Sequence, residues 1–346
     1  MIKVAQVLAG AAQGGAENFF VRLVAGLHAD GQLQQKAFIR NHEQRIGTLK
    51  KQNVEVEGFR FGGIVNFLDR RRYLKALDEF NPDIVMTWMN RASGLTPRGP
   101  YKLVCRLGHY YNLKYYRHAD YWVGISKGIC NHLVQGGMPP DRVFHIPNFA
   151  DESEVESLSR NSFDTPTDLP LLLAAGRLHV NKGFDVLLQA MTSIPDVILW
   201  LAGGGPEEKN LKKLCHDLGL DERVRFLGWR DDVTALMRTA DVFICPSRHE
   251  GLGSIVMESW AHRCPIVATA SQGPGEVITD GETGLLVPVD DVFLLSRSIK
   301  SVLADSAMKG KIVDAAFDHY QQFYSKQVII SQYNRFYADI AGKARH

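Results

Sequence analysis

Short apolar runs alternate with amphipathic stretches along the first half of the chain. Strand-like runs fall at 2–9, 36–40, 54–61, 83–89, 101–107 and 121–125, with helical patterns between them. Phe20, Leu23, Val24 and Leu27 recur at i, i+3, i+4 and i+7, which places them on one helix face. Asn81-Pro82-Asp83 ends a helix and opens a strand, because the residue before proline is pushed out of the helical region. From 147 to 170 the rhythm breaks into polar, acidic sequence rich in Ser, Asp, Thr and Pro. It resumes with strands at 171–175, 197–202, 224–227, 242–245 and 265–268, separated by helices such as 184–191 and 210–218, and ends in a helical tail over 292–344.

Two successive βα series predict an α/β chain with two Rossmann-like domains, each built on a parallel sheet, facing across a cleft. The expected divisions are an N-terminal domain at 1–150, a linker region at 151–170, a second domain at 171–325 and a C-terminal helix at 326–346 packing back toward the first domain. At 346 residues the chain is long enough for both.

Composition removes some functions. Hydrophobic content of 45% and charged content of 23% are those of a globular protein, which argues against disorder. A formal net charge of +2 gives no basis for nucleic-acid binding. Cys105, Cys130, Cys215, Cys245 and Cys264 are scattered and form no Cys-x-x-Cys pair, so buried free thiols in a reducing compartment are expected. The run 4–12 after Lys3 faintly resembles a signal peptide, but a Gly-rich loop and an amphipathic helix follow at once, so it reads as a first strand. No apolar run approaches the roughly 20 residues of a membrane span. A cytoplasmic protein is expected, with peripheral contact at the inner face of the membrane as a further expectation.

The segment Glu250-Gly251-Leu252-Gly253-Ser254-Ile255-Val256-Met257-Glu258 is the most informative. It follows an apolar strand and starts a helix, which puts a helix N-terminus at the carboxyl edge of a parallel sheet, where such folds bind ligands and where free amides attract phosphate. At about 1.5 Å rise per helical residue, its two carboxylates lie on the order of 10 Å apart. That separation suits two hydroxylated rings with a diphosphate between them, the shape of a nucleotide sugar.

A Walker-type phosphate loop is absent, Gly203-Gly204-Gly205-Pro206 lacks the third glycine of a dinucleotide fingerprint, and there is neither an Asp-x-Asp nor a His-Glu-x-x-His. No metal and no cofactor are expected, so the protein must supply the positive charge for a diphosphate itself. Arg177 and Lys182, in Gly176-Arg177-Leu178-His179-Val180-Asn181-Lys182-Gly183 between a strand and a helix, answer that need. An ordinary exposed pair would also fit, but a cation at a helix N-terminus is disfavoured and invites another explanation. Gly14-Gly15-Ala16-Glu17 ends the loop after the first strand; it is either a close-approach loop for a ligand or a plain turn with Glu17 complementing the helix dipole. His109 follows the strand 101–107 and is either a site residue or a histidine satisfied in an aromatic patch.

Taken in order, these motifs resemble family 4 of the retaining glycosyltransferases, which have the GT-B fold. The matching segments are 176–183, Gly203-Gly204-Gly205-Pro206, Phe226-Leu227-Gly228-Trp229, the strand at 240–247, Glu250 with Glu258, and 281–288; in the first half they are Gly14-Gly15-Ala16-Glu17, His109 and Ile146-Pro147-Asn148. Asn148-Phe149-Ala150-Asp151 departs from the Asn-Gly-x-Asp of many relatives. The resemblance implies that Arg177 and Lys182 hold the donor diphosphate. Glu258 would bind ribose hydroxyls. Glu250 would contact the donor sugar beside the amides of Gly251, Leu252, Gly253 and Ser254. Gly14 and Gly15 would approach the diphosphate, His109 the transferred sugar, and Trp229 and Arg230 the base. It implies transfer of a hexose or N-acetylhexosamine, with UDP the commonest carrier, to a hydroxyl of a glycan or lipid-linked acceptor in surface-polysaccharide synthesis. A sugar-nucleotide epimerase or hydrolase and a noncatalytic sugar-nucleotide-binding protein are the alternatives. The basic-apolar stretches 67–75 and 114–117 fit an anionic acceptor or lipid surface, or simply a solvated basic face.

Overall fold

The computed structural model describes residues 1–12, 14–62 and 66–342. The chain divides into two compact units, Met1–Asn148 with the segment from Lys326 onward, and Phe149–Ser325.

The first unit holds strands β1 (Ile2–Leu8), β2 (Leu33–Arg40), β3 (Glu55–Phe59), β4 (Ile84–Trp88), β5 (Lys102–Leu107), β6 (Tyr121–Gly124) and β7 (Val143–His145) in the order β3-β2-β1-β4-β5-β6-β7, all parallel. Strands covered on both faces read as continuous apolar runs, and β4 and β5 are buried throughout. Two charged residues interrupt β5, Lys102 at its start and Arg106, which is only 2% exposed. Its guanidinium lies 4.8 Å from the Phe19 ring centroid and 4.2 Å from that of Trp88, and it donates to Tyr333 Oη at 2.9 Å and to Asn148 Oδ1. Ring faces and acceptors together make a buried cation tolerable.

Tyr333 belongs to the helix Lys326–Ala341, which is part of this unit. Along that helix Tyr337 Oη accepts from Gln6 Nε2 at 3.1 Å and Asn334 donates to Asp30 at 2.6 Å. Gly26 admits it closely, since a Cβ there would lie 2.9 Å from Ile330 Cδ1. The helical tail expected over 292–344 is three helices, Val292–Ala304, Ser306–Phe323 and Lys326–Ala341; Asp305 stops the first and caps the second by accepting from Met308 N at 2.9 Å. Residues 343–346 of that expected helix lie outside the described residues.

The second unit holds β8 (Leu171–Ala175), β9 (Ile198–Ala202), β10 (Val224–Gly228), β11 (Val242–Cys245), β12 (Ile266–Thr269) and β13 (Leu285–Val287), ordered β10-β9-β8-β11-β12-β13 and again parallel. Leu172, Ala174, Leu199, Leu201, Val242 and Ile244 meet Phe184, Leu187, Leu188 and Met191 of the helix Phe184–Met191 in its core. The polar segment 151–170 packs against this sheet. Leu158 N bonds Thr239 Oγ1 at 2.7 Å, Arg160 pairs with Asp241 at 2.8 Å, and Phe163 stands edge-on to Trp200, whose Nε1 donates to Thr165 Oγ1 at 2.8 Å. The direction of strand addition reverses between β8 and β11, the place where open α/β sheets form a crevice at the carboxyl edge.

Candidate functional site

The loops leaving β8 and β11 are tied together at that reversal. The Asn181 carbonyl accepts from Arg248 N at 2.8 Å and His249 N at 3.2 Å. Arg248 forks onto the Asp185 carboxylate at 2.9 and 2.8 Å, and also reaches Val180 O at 2.7 Å and Asp290 at 2.6 Å. Gly183 permits the contact: its φ is +63°, and a Cβ would meet Pro246 O at 2.0 Å. These ties bring Lys182 Nζ against Glu250 Oε2, which also accepts from Ser247 Oγ at 3.3 Å. The two side chains are 24% and 18% exposed, so the pair is shielded yet reachable.

Burial pulls the Lys182 ammonium down, but the charge of Glu250 and its hydrogen bond outweigh this and hold Lys182 above the ordinary lysine value. Burial likewise pushes Asp185 up, and the hydrogen bonds and charge of Arg248 more than reverse it, leaving that carboxyl below its usual range.

Neighbouring strand ends complete the edge. After β9, a Cβ on Gly203 would lie 1.8 Å from Gly176 O, and one on Gly205 2.3 Å from Leu178 O. The loop at 176–178 therefore lies flush on the glycines, with Arg177 exposed from it. After β11, Gly253, with φ +72°, turns the chain into the helix Ser254–Ala261, whose N-terminus has no side-chain cap. Gly251, Leu252 and Gly253 are buried and Ser254 is half-buried. The loop after β12 braces them: Gly273 N donates to Glu250 O at 2.9 Å, and a Cβ on Gly273 would strike the Leu252 backbone at 2.3 Å.

Glu258, one turn into the helix, accepts from Asp151 N at 2.9 Å, and His262 Nε2 donates to Asp151 O at 2.7 Å. The helix thus clamps the Asp151 backbone from two positions. Farther along the edge, Trp229 is 52% exposed. Arg230 is committed to Asp232 through contacts of 2.8 and 2.5 Å, and its guanidinium lies 5.2 Å from the Phe163 ring centroid.

In the first unit, Gly14 caps the helix Gly15–Asp30. Glu17 is buried and folds back to accept from Ala11 N at 2.8 Å, while Arg45 donates to Ala11 O and Ala12 O at 2.7 and 2.9 Å. A Cβ on Gly14 would sit 2.3 Å from Glu17 Oε2, so the glycine makes room for this carboxylate. His109 is exposed beyond β5, its ring 6.1 and 5.9 Å from those of Tyr110 and Tyr111.

The structure thus gathers Arg177, Lys182, Trp229, Arg230, Glu250, Gly251, Leu252, Gly253, Ser254 and Glu258 along the carboxyl edge of the second sheet, while Gly14, Gly15 and His109 belong to the first unit. Sequence reasoning missed Arg248, the tie between the two loops, and Gly273, the brace. The turn signature Gly273-Pro274-Gly275 after the strand at 265–268 was the available signal for the brace; Arg248 carried none. Among the described residues no cluster of three or more His, Cys, Asp or Glu is placed to hold a metal ion.

A family model described as glycosyl transferases group 1 matches residues 155–319. Over 324 residues the chain is 35% identical to the lipopolysaccharide core biosynthesis glycosyltransferase LpsE of Rhizobium meliloti (strain 1021), covering 92% of this chain and 94% of that protein. It is 32% identical to LpsD of the same organism, a protein of the same description, over 93% and 94%. Among solved structures it is similar to Anabaena HepE in complex with UDP and glucose, with a TM-score of 0.85 and 20% identity over 98% of this chain and 100% of that one; at that identity the likeness speaks for the fold.

Proposed function

Because the chain belongs to the glycosyl transferases group 1 family and has the GT-B fold, we propose that it moves a hexose or N-acetylhexosamine from a nucleoside diphosphate to a hydroxyl of a lipopolysaccharide core glycan with retention of anomeric configuration. The observation that carries this reading is the Lys182–Glu250 pair at the sheet reversal, flanked by glycine loops and an uncapped helix N-terminus. The core glycan is suggested by LpsE and LpsD, which match this chain over nearly its whole length. UDP as carrier is suggested by the HepE complex.

In the proposed reaction the bond from the anomeric carbon to the diphosphate oxygen breaks, and its electron pair leaves with the diphosphate. The acceptor hydroxyl oxygen attacks the same face, and its proton passes to the departing phosphate. An ammonium has three N–H donors, so Lys182 can bond Glu250 and still offer two to the leaving group. Glu250 keeps that ammonium charged and presents its carboxylate to the donor sugar. Arg177 and the first-turn amides of Ser254–Ala261 add positive potential where negative charge grows, a preorganised field that does not reorganise during the step. Glu258 takes the ribose hydroxyls; a carboxylate has about four lone-pair sites, so the Asp151 amide does not exhaust it.

Peripheral membrane contact forms part of the proposal. Phe67 and Leu68, near the start of the helix Asn66–Phe80, are 62% and 61% exposed, with Arg71 4.3 Å from the Phe67 ring centroid. No helix among the described residues is long and apolar enough to cross a membrane.

The decisive experiment incubates the protein with a panel of nucleoside-diphosphate sugars and core-truncated lipopolysaccharide, then reads nucleotide release and the anomeric configuration of the product. Donor consumption without acceptor would point to a hydrolase or epimerase. Binding without turnover on any acceptor would leave a binding protein.

A further inference from the structure

A cavity of about 690 Å³ opens at the carboxyl edge of the first sheet, wholly within the first unit. Arg40 closes β2, Arg60 and Phe61 follow β3, Asn90 and Arg91 follow β4, and Tyr115 comes from the short turn after β5; all line the cavity. Among the described residues its lining contains three guanidiniums and no carboxylate.

Arg45, Arg106, Arg230 and Arg248 donate to carbonyl, carboxylate, amide or hydroxyl oxygens. Arg40, Arg60 and Arg91 differ. Among the described residues none of their guanidiniums has an ion pair or a hydrogen bond. Three unpaired like charges around one concavity repel one another, and an anion between them removes the repulsion.

The backbone delivering these groups is held in an uncommon conformation. Phe61 and Met89, neither of them glycine, have φ of +48° and +64°. Such residues persist only where surroundings fix them, and they concentrate at binding sites. The Asp69 carboxylate fixes the first by accepting from Arg60 N at 3.1 Å and Phe61 N at 2.8 Å. Tyr116 Oη donates to Asn90 Oδ1 at 2.6 Å, which turns the Asn90 amide so that its NH2 remains a donor.

Guanidinium forks match the planar oxygens of carboxylate and phosphate. The aromatic lining of Phe61 and Tyr115 offers apolar surface to the C–H face of a pyranose. The volume lies in the range of small-molecule sites and is far larger than a bare anion requires.

We propose that this cavity binds an anionic saccharide, bearing a carboxylate or a phosphate, and that this saccharide is part of the acceptor. Its role as acceptor rests on the transferase reading; its chemistry rests on the cavity alone. The test is ligand-observed NMR titration of the full chain with glucose 6-phosphate, glucuronate, methyl glucoside and inorganic phosphate, with UDP affinity measured in the same samples. Arg60 and Arg91 are exposed, so Arg60→Ala and Arg91→Ala leave packing intact. Losing a hydrogen bond to a charged group costs affinity ~tenfold or more, so each variant weakens the charged sugars by at least that factor and leaves UDP affinity unchanged. Preference for the phosphate sugar or for the uronate identifies which anion the acceptor carries.

Methyl glucoside binding as well as the charged sugars, inorganic phosphate binding as well as glucose 6-phosphate, displacement of the sugars by UDP, or variants without effect would each overturn the proposal. Absent donor turnover with charged-sugar binding intact would remove the transferase reading and keep the cavity. Normal turnover with no preference for charged sugars would do the reverse.

Discussion

Lys182 donates to the Glu250 carboxylate across 68 residues of sequence. Lys182 stands two residues before the helix Phe184–Met191, a position unfavourable to a cation. The Glu250 charge compensates, and in doing so keeps a protonated lysine in a half-shielded place, where the proposed reaction puts the leaving diphosphate. The pair ties two loops together and holds a charged donor group between them.

In the proposed reaction Lys182→Ala removes one charge-assisted contact to the leaving group. Such a contact is worth about 2–4 kcal/mol in a transition state, so turnover should fall by on the order of 100-fold. Steady-state nucleotide release measures it. Near-normal turnover would end the diphosphate role of Lys182.

Arg248 holds the two loops in register, and its bond to Asp185 has a pH signature. The Asp185 carboxyl lies below its usual 3.8 in the folded protein. Its contribution to stability is therefore present in full above the unfolded value and lost as pH falls through the folded one. The melting-temperature difference between wild type and Asp185→Asn should be constant between about pH 5 and 8 and shrink below about pH 4. A difference that grows on acidification contradicts the assignment. Arg248→Lys should not restore what Arg248→Ala loses, because an ammonium cannot reproduce the fork.

Much of this was legible beforehand, for identifiable reasons. The buried parallel strands read as apolar runs, and Gly203, Gly183 and Gly253 marked the strand ends where loops approach closely. β2 begins at Leu33 rather than 36 because Gln35 looks polar yet is buried, donating to Val24 O at 3.2 Å and accepting from Gln6 at 3.2 Å. Val143–His145 and Leu285–Val287 are too short for a two-residue period to register. The Arg40, Arg60 and Arg91 cavity was invisible because no spacing links residues delivered by three different strands.

The glycine run after β9 should be intolerant at its ends and tolerant in its middle. Gly203→Ala and Gly205→Ala force a Cβ onto backbone carbonyl oxygens, whereas at Gly204 nothing lies within 4 Å. Urea denaturation should show losses of at least about 2 kcal/mol for the outer two and a change within about 0.5 kcal/mol for Gly204→Ala. Equal effects at all three positions would mean that the loop does not pack as described.

Peripheral membrane contact predicts flotation of the protein with phosphatidylglycerol vesicles at low salt. Phe67→Ser with Leu68→Ser should abolish it, and Arg71→Ala should weaken it by the ~1 kcal/mol typical of a basic residue near an anionic surface. Failure to float at low salt dismisses the contact.

Glu258 has two assignable duties, binding ribose and clamping Asp151, and a thermodynamic cycle tells them apart. If the carboxylate bonds ribose hydroxyls, wild type should prefer UDP over its 2′,3′-dideoxy analogue by ~tenfold or more, the value of hydrogen bonds to a charged group. Glu258→Ala should erase that preference, so that both nucleotides bind alike. If the carboxylate only anchors the chain, the variant lowers the melting temperature and leaves the preference untouched. Measuring both affinities by calorimetry on both proteins isolates the coupling between this side chain and those hydroxyls, which a single-variant loss of activity could not do.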